Sequence, residues 1–148
     1  MKDKHYGVGF TLGTFDLFHV GHLYHLRACK SLCDHLVVGV QTDTLCYSYK
    51  EKYPVICEEH RLEMIKGCKY VDNGAIVNTF DLFELHNRFR FDVIFVGDDW
   101  IGSPIWDEHK KNMETIGVDV VFTSSGRITS STEIRMRCRD SLSEQTES

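Results

Sequence analysis

The segment over residues 13–22 reads GTFDLFHVGH, and it decides how the rest of the chain is interpreted. It follows an apolar run that ends at Leu12 and precedes a stretch of helical periodicity, so it should lie at the first strand-to-helix crossing of an α/β sheet. His19 and His22 are three residues apart, which places both imidazoles on one face of the first helical turn. Unpaired backbone N–H groups at a helix start attract anions, and phosphate above all. The segment therefore predicts a nucleotide-handling site.

Apolar runs of strand length alternate with segments of helical periodicity along the chain. The strand-like runs cover residues 7–12, 35–40, 75–77, 93–96 and 119–122. This alternation predicts a single α/β domain with a doubly wound, mostly parallel five-stranded sheet of the Rossmann-like type. Ligands of such sheets bind at the carboxyl ends of the strands, so the segments that follow the strands should meet at one rim.

The segments between and after the strand-like runs have less distinct sequence patterns than the strands. Helical periodicity is found over residues 22–32, Glu58–Lys66, Leu82–Phe89 and 106–116, and a last helix should start near Ser131. Residues 42–57 are polar and aromatic and end close to a proline, which predicts a mobile loop over the strand ends. Residues 140–148 are rich in Ser, Glu and Gln and are predicted to form a disordered C-terminal tail.

Composition limits the classes of function. A content of 42% hydrophobic and 26% charged residues is typical of a soluble globular protein. The net charge of −5 argues against general nucleic-acid binding, which needs clustered positive surface. No export signal and no run of 18 apolar residues is found, so a cytoplasmic protein without a membrane partner is expected. The six cysteines include no CxxC pair, which argues against zinc-ribbon and redox motifs and predicts reduced thiols.

The run at residues 13–22 resembles the GxFDxxHxGH motif of the cytidylyltransferase-like nucleotidyltransferases. The resemblance covers about residues 9–134 and includes KYVD at residues 69–72, GDDW at residues 97–100 and SST at residues 130–132. Within this family the chain is most similar to the glycerol-3-phosphate cytidylyltransferases. Several separate motifs in one order make the match specific. The resemblance implies a catalytic domain over residues 1–139.

The resemblance also implies a set of nucleotide-binding residues: Gly13, Thr14, Phe15, His19, Gly21, His22, Lys52, Asp98, Arg127, Thr129, Ser130, Ser131 and Thr132. Four of them would be catalytic, because they would stabilise charge on the reacting phosphates: His19, His22, Lys52 and Arg127. In the family the arginine comes several residues before an Ile-Ser-Thr-Thr run, with a glycine between them. Here Gly126 precedes Arg127, so the arginine either acts from a shifted position or the contact is missing.

A second group of residues would bind the acceptor molecule: Asp16, Lys50, Arg61 and Lys69. Lys50 and Lys52 are two residues apart, so in an extended loop both ammonium groups would point the same way. Asp16 is also placed to cap the following helix. Lys69 stands where the glycerol-3-phosphate enzymes have an arginine. His25 and His35 lack such a context and are interpreted as ordinary surface or core histidines.

The activity that the resemblance implies is transfer of CMP from CTP to a phosphorylated small alcohol. Glycerol 3-phosphate is the expected acceptor, with CDP-glycerol and pyrophosphate as the products. Mg²⁺ would be bound mainly through the triphosphate, without a metal site made by the protein alone, and similar enzymes suggest a homodimer. Two alternatives stay open. One is cytidylyl or adenylyl transfer to another phosphorylated alcohol, such as phosphoethanolamine or a polyol phosphate, and the other is a non-catalytic nucleotide-binding module.

Overall fold

Five strands form one parallel sheet in the computed structural model, which describes residues 5–123 and 131–146 except for the side chains of Asp99 and of residues 142–146. The strands are β1 (Tyr6–Gly13), β2 (Cys33–Gln41), β3 (Asn73–Val77), β4 (Val93–Gly97) and β5 (Asp119–Thr123). Every neighbouring pair is parallel, and the order β3-β2-β1-β4-β5 is that of a doubly wound, Rossmann-like sheet. The predicted fold class is confirmed.

Helices connect these strands and cover both faces of the sheet. In the described part of the chain they are α1 (Val20–Lys30), α2 (Asp43–Lys50), α3 (Glu58–Lys66), α4 (Leu82–Phe89), α5 (Pro104–Glu114) and α6 (Ser131–Thr146), with a 3₁₀ turn over Asp98–Trp100 after β4. None of the helices within residues 5–123 and 131–146 is long and apolar enough to cross a membrane.

The sheet buries a separate apolar cluster on each face. One cluster holds Leu26 of α1 and Ile65 of α3, and the other holds Leu85 of α4 and Met113 of α5. In β2 the side chains alternate between the two clusters, so Leu36 and Val38 face α1 and α3 while Val37 faces α4 and α5. A central strand of a parallel sheet must be buried on both faces, and β2 meets this requirement.

The connection pattern changes direction at β1. From β1 the chain passes through α1 to β2 on one side, whereas β4 lies on the other side of β1. This switch point opens a crevice at the carboxyl ends of β1 and β4, where doubly wound sheets bind their ligands. Gly13 ends β1 and Gly97 ends β4, so the segment that begins at Gly13 lies beside this crevice.

The prediction of a loop over residues 42–57 is wrong for its first half. Helix α2 begins after Thr42, whose hydroxyl oxygen accepts a hydrogen bond from the backbone N–H of Leu45 at 3.1 Å. The helix ends where Glu51 adopts a left-handed conformation with φ of 57°. A threonine cap that satisfies a free N–H group outweighs the low helix propensity of the aromatic residues that follow.

The structure also differs from the predicted disordered tail, because helix α6 continues through residues 140–146. Residues 131–146 contain neither glycine nor proline, so extending a helix that already exists costs no new nucleation. The helix is supported by an ion pair between Arg137 and Glu133, 3.0 Å apart and one turn from each other. Residues 147 and 148 lie outside the described residues.

Candidate active site

The two histidines of the first motif cap helix α1 together. Nδ1 of His19, the N-cap residue, accepts from the backbone N–H of Gly21 at 3.1 Å, and Nδ1 of His22 accepts from the backbone N–H of His19 at 3.3 Å. Their rings stack with centroids 3.8 Å apart. Serine or threonine with glutamate usually fills these two roles at a helix start. The helix cap is therefore His19 and not Asp16, the residue that the sequence suggested.

These hydrogen bonds decide where each imidazole carries its proton. Because both Nδ1 atoms accept a backbone N–H, the neutral rings carry hydrogen on Nε2. Burial, together with smaller contributions from the neighbouring His19 and His25, lowers the pKa of His22 to about 3. Burial also lowers the pKa of His19. At neutral pH the pair therefore offers two uncharged Nε2–H donors at the start of α1.

Aromatic residues of the β1–α1 loop hold His22 in place. Phe15 contacts the His22 ring edge-on at 5.4 Å between centroids, and Phe18 contacts it at 5.5 Å. Phe15 and Leu17 have φ of 53° and 51°, a left-handed conformation that non-glycine residues rarely adopt. A Cβ atom at Gly13 would lie 3.0 Å from the Phe15 ring, so a larger residue there would require the ring to shift by a few tenths of an ångström. Since the Phe15 ring is buried, any nucleotide contact by this residue would come from its backbone.

Asp16 is buried and supports the loop rather than facing the crevice. Its carboxylate accepts from the backbone N–H groups of Val55 at 2.8 Å and Ile56 at 2.9 Å. It also pairs with Arg135 of α6 at 3.1 Å, and its backbone oxygen accepts from the Ser131 hydroxyl. A buried carboxylate is stable only when its oxygens have such donors, so Asp16 has a structural role here, and its acceptor-binding role stays a prediction.

Arg61 is likewise buried, with only 1% of its surface exposed. Its guanidinium donates to the backbone oxygens of Ile56, Thr14 and Gln41, each at 2.8 Å, and pairs with the Asp43 carboxylate. These contacts use the donors of Arg61 within the protein, and its predicted acceptor-binding role stays a prediction. Its donors join the ends of β1 and β2 to α2 and to the loop before α3.

Lys50 lies beside the β1–α1 loop, at the last position of α2 and not in the extended loop that was predicted. Its Nζ donates to Thr14 Oγ1 at 3.2 Å and lies 5.4 Å from the centroid of the Tyr49 ring. The Thr14 hydroxyl also lies 3.3 Å from Gln41 Oε1 and from the Tyr49 hydroxyl. Partial burial of the ammonium group lowers the pKa of Lys50, and the positive charges of Arg135 and Arg61 add to this shift. A cation held in this way is suited to meet an anion at the crevice.

Lys52 and Lys69, the other two lysines predicted to lie in the site, are not part of the cluster formed by Lys50 and Thr14. Lys52 is exposed in the bend after α2 and makes no hydrogen bond or ion pair with another described residue. Lys69 precedes β3, so it lies at the amino-terminal edge of the sheet, about 16 Å of strand away from the carboxyl-end crevice. Its ammonium group lies 5.2 Å from the Tyr70 ring. Within its own chain Lys69 therefore lies on the far side of the sheet from the crevice, and its acceptor contact stays a prediction.

The remaining predicted residues lie near the crevice or outside the described chain. Asp98 is exposed in the 3₁₀ turn that follows β4. Ser131 and Thr132 begin α6, and Gly21 lies in the first turn of α1. Arg127, Thr129 and Ser130 lie outside the described residues.

Arg135 is a residue that the sequence interpretation missed. It donates to Asp16 and, at 3.4 Å, to the Thr132 hydroxyl, so it fastens α6 to the β1–α1 loop. The available signal was its spacing of three residues from Thr132, which places both on one face of a helix.

The sequence was compared with protein families and with known proteins. The sequence pattern of the family described as cytidylyltransferase-like matches residues 10–137. The chain is 33% identical over 93 residues, 63% of its length, to the probable ethanolamine-phosphate cytidylyltransferase of Encephalitozoon cuniculi. It is 43% identical over 86 residues, 57% of its length, to the FAD synthase of Methanosphaerula palustris. The chain spans 29% of the first relative and 54% of the second.

A solved structure shares the fold. The lipopolysaccharide core biosynthesis protein of Thermoplasma volcanium superposes with a TM-score of 0.70 at 26% identity, over 84% of this chain and 99% of that one. The family match includes the second half of β1, the histidine pair and the start of α6. The chain therefore belongs to the cytidylyltransferase-like family.

Proposed function

We propose that this chain is a nucleotidyltransferase that moves CMP from CTP to a phosphorylated small alcohol and releases pyrophosphate. The observation that carries the proposal is the histidine pair. His19 and His22 offer two neutral Nε2–H donors at the start of α1, next to the switch point of the sheet. Neutral donors fixed by backbone hydrogen bonds suit the extra charge that develops on a phosphoryl group during its transfer.

In the proposed reaction a phosphate oxygen of the acceptor attacks the α-phosphorus of CTP in line. The new O–P bond forms as the bond to the β-phosphate oxygen breaks, and pyrophosphate leaves with that electron pair. No general base is required, because the acceptor phosphate is already ionised at neutral pH. The role of His19 and His22 is to hydrogen-bond the reacting phosphate oxygens, and the backbone N–H groups at the α1 start add to this stabilisation.

Mg²⁺ is proposed to accompany the triphosphate. Asp98 fits this role in part, because its exposed carboxylate follows β4 beside the crevice and makes no hydrogen bond or ion pair with another described residue. One carboxylate together with phosphate oxygens and water is a common way to hold this ion. When bound, the ion would neutralise the charge of the leaving pyrophosphate.

The acceptor is proposed to bind between the β1–α1 loop and the end of α2. Lys50 supports this position, because its ammonium group lies 3.2 Å from Thr14 Oγ1 and is partly buried. We propose glycerol 3-phosphate as the acceptor because of the resemblance of the sequence motifs. Phosphoethanolamine is the competing acceptor, since one relative is named as an ethanolamine-phosphate cytidylyltransferase.

An adenylyl donor is a second candidate. Several relatives are named as FAD synthases, and one of them, from Methanohalophilus mahii, is 35% identical over 78% of this chain. The product FAD carries an adenine nucleotide, so the same fold is compatible with ATP as the donor. We also propose a homodimer, for which the exposed and stacked rings of Tyr47 and Tyr53 offer apolar surface.

The proposal is tested by measuring pyrophosphate release from CTP and ATP with a panel of acceptors that includes glycerol 3-phosphate, phosphoethanolamine and FMN. Turnover with CTP and glycerol 3-phosphate is expected, and it should fall in a His22→Gln variant that remains folded. Preference for ATP and FMN would favour the second candidate. Nucleotide binding without turnover of any pair would indicate a non-catalytic module.

A further inference from the structure

A buried polar chain links α1 to the sheet directly beneath the histidine pair. His25 follows His22 by three residues on α1, and its Nε2 lies 3.1 Å from Thr11 Oγ1 on β1. Its Nδ1 lies 2.9 Å from Thr123 Oγ1 on β5. Thr11 and Thr123 are both buried, and the Thr11 hydroxyl donates to the backbone oxygen of Phe95 on β4 at 2.9 Å. One imidazole therefore connects α1 to three strands of the sheet.

The hydrogen bonds of this chain run in one direction when His25 is neutral. The Thr11 hydroxyl gives its hydrogen to Phe95, so it accepts from His25 Nε2–H. His25 Nδ1 then accepts the hydroxyl hydrogen of Thr123, whose alternative acceptor, the backbone oxygen of Val96, is farther away at 3.4 Å. Each hydroxyl and each ring nitrogen then has a partner, which fixes the ring orientation.

The described neighbours of His25 on α1 contribute apolar packing. Leu26 and Cys29, its neighbours on α1, are fully buried in the apolar cluster on that face of the sheet. Burial raises the pKa of Cys29, so its sulfur, 3.7 Å from His25 Nε2, remains an uncharged thiol and a weak partner. Apolar contacts are not directional, whereas hydrogen bonds at both ring nitrogens define the rotation of the helix about its axis.

We propose, on the basis of the nucleotidyl-transfer function above, that His25 is a positioning residue for His22. The two side chains lie one turn apart on one face of α1, so a rotation or slide of the helix that moves His25 also moves His22. By holding α1 against Thr11 and Thr123, His25 keeps the Nε2–H donor of His22 aimed into the crevice at the ends of β1 and β4. This role adds a polar anchor to the motif at residues 13–22.

Three substitutions of His25 separate its two hydrogen bonds. His25→Leu removes both. His25→Gln places an amide near the position of Nε2 and keeps the bond to Thr11, and His25→Asn places an amide near Nδ1 and keeps the bond to Thr123. Displacement of a catalytic group by about 1 Å costs on the order of 100-fold in rate, so His25→Leu should lower kcat by about 10-fold to 100-fold. KM for the nucleotide should change little, and at least one amide variant should recover part of kcat.

The matched control is Met113→Ala, a cavity in the apolar cluster on the opposite face of the sheet. It should lower the unfolding midpoint without lowering kcat at a temperature where the protein is folded. A second measurement is independent of turnover. In ¹⁵N spectra of the histidine rings, the wild-type His22 should show the Nε2–H tautomer, and His25→Leu should shift its two nitrogen resonances toward each other as the tautomers mix.

Loss of kcat together with a shifted His22 signal in His25→Leu, and neither change in Met113→Ala, would support the proposal. An unchanged His22 signal and unchanged kcat in folded His25→Leu would overturn it. If His25→Leu does not fold, the same comparison is made with the Asn and Gln variants. If the wild-type chain turns over no nucleotide, the proposed function fails, but the His22 resonances still decide whether His25 positions that ring.

Discussion

Nη1 of Arg61 lies 2.8 Å from the backbone oxygen of Thr14, and it also donates to the backbone oxygen of Gln41. One side chain thus joins the first residue after β1 to the last residue of β2. Both oxygens lie at strand ends, where no further strand pairing is available to satisfy them. A cation buried at this point stabilises the rim of the site.

Replacement of Arg61 by methionine should therefore act on stability rather than on acceptor binding. The variant leaves the Asp43 carboxylate and three backbone oxygens without donors, and we expect the free energy of unfolding to fall by about 3–5 kcal/mol. Urea unfolding measures this loss. Arg61→Lys should recover part of it, because lysine restores the charge but not the planar set of donors. Wild-type stability with a raised acceptor KM would restore the acceptor-binding role.

His19→Ala and His22→Ala should each lower kcat by about 100-fold or more, because each removes a donor that is already oriented toward the reacting phosphate. His19→Ala should also cost about 1 kcal/mol of stability through the lost helix cap. His22→Gln should retain more activity than His22→Asn, since glutamine places its amide near Nε2. Steady-state kinetics with circular dichroism as the folding control tests this. Near-normal kcat in both alanine variants would contradict the mechanism.

Stability should fall as the pH is lowered below about 6.5. The folded-state pKa of His22 is about 3, below the value of 6.5 for a free imidazole, so the unfolded chain binds more protons between these two values. The stabilising contribution is fully present above pH 6.5 and is lost by at most about 1.4 kcal/mol per pH unit as the pH falls. Urea unfolding from pH 7 to 4.5 measures the slope. His22→Gln cannot titrate, so an equally steep slope in that variant would rule out His22 as the cause.

Lys50 and Lys52 should have different effects on binding. Lys50→Ala should mainly raise KM for the acceptor, because the ammonium group lies against Thr14 at the crevice. Lys52→Ala should mainly weaken CTP binding if the bend after α2 closes over the triphosphate. Initial rates with each substrate varied separately distinguish the two variants. Equal and small effects on both ligands would identify both lysines as solvated surface charges.

Arg127 is expected to contact the triphosphate. Arg127→Lys keeps the charge but loses the two-point contact, and CTP binding should weaken by roughly 1–3 kcal/mol. Arg127→Ala should weaken it more, and returning an arginine to position 125 in a chain with a small residue at 127 should recover part of the loss. Calorimetry measures the three affinities. Wild-type affinity in Arg127→Ala would indicate that CTP is bound here without the arginine.

The fold class could be predicted from the sequence, because hydrophobic periodicity depends only on residues that are close together in the chain. Strand-length apolar runs that alternate with helical spacing suffice to predict a doubly wound parallel sheet. The histidine pair was equally accessible, since a spacing of three residues at a helix start places both rings on one face regardless of the rest of the chain. Helix α2 and the continuation of α6 beyond residue 139 were missed, because a single cap at Thr42 and the low cost of extending α6 carry little weight in a periodic pattern.

What the sequence determined by itself is the alternation of five strands with helices and the place of the histidine motif at the first crossing. The tertiary structure decided which polar residues support the site and which face it. Asp16 pairs with Arg135, 119 residues later, and Arg61 reaches back 47 residues to Thr14. The physical reason is that a charged side chain is stable in the interior only with a full set of donors or acceptors, and these partners come together only when distant segments pack.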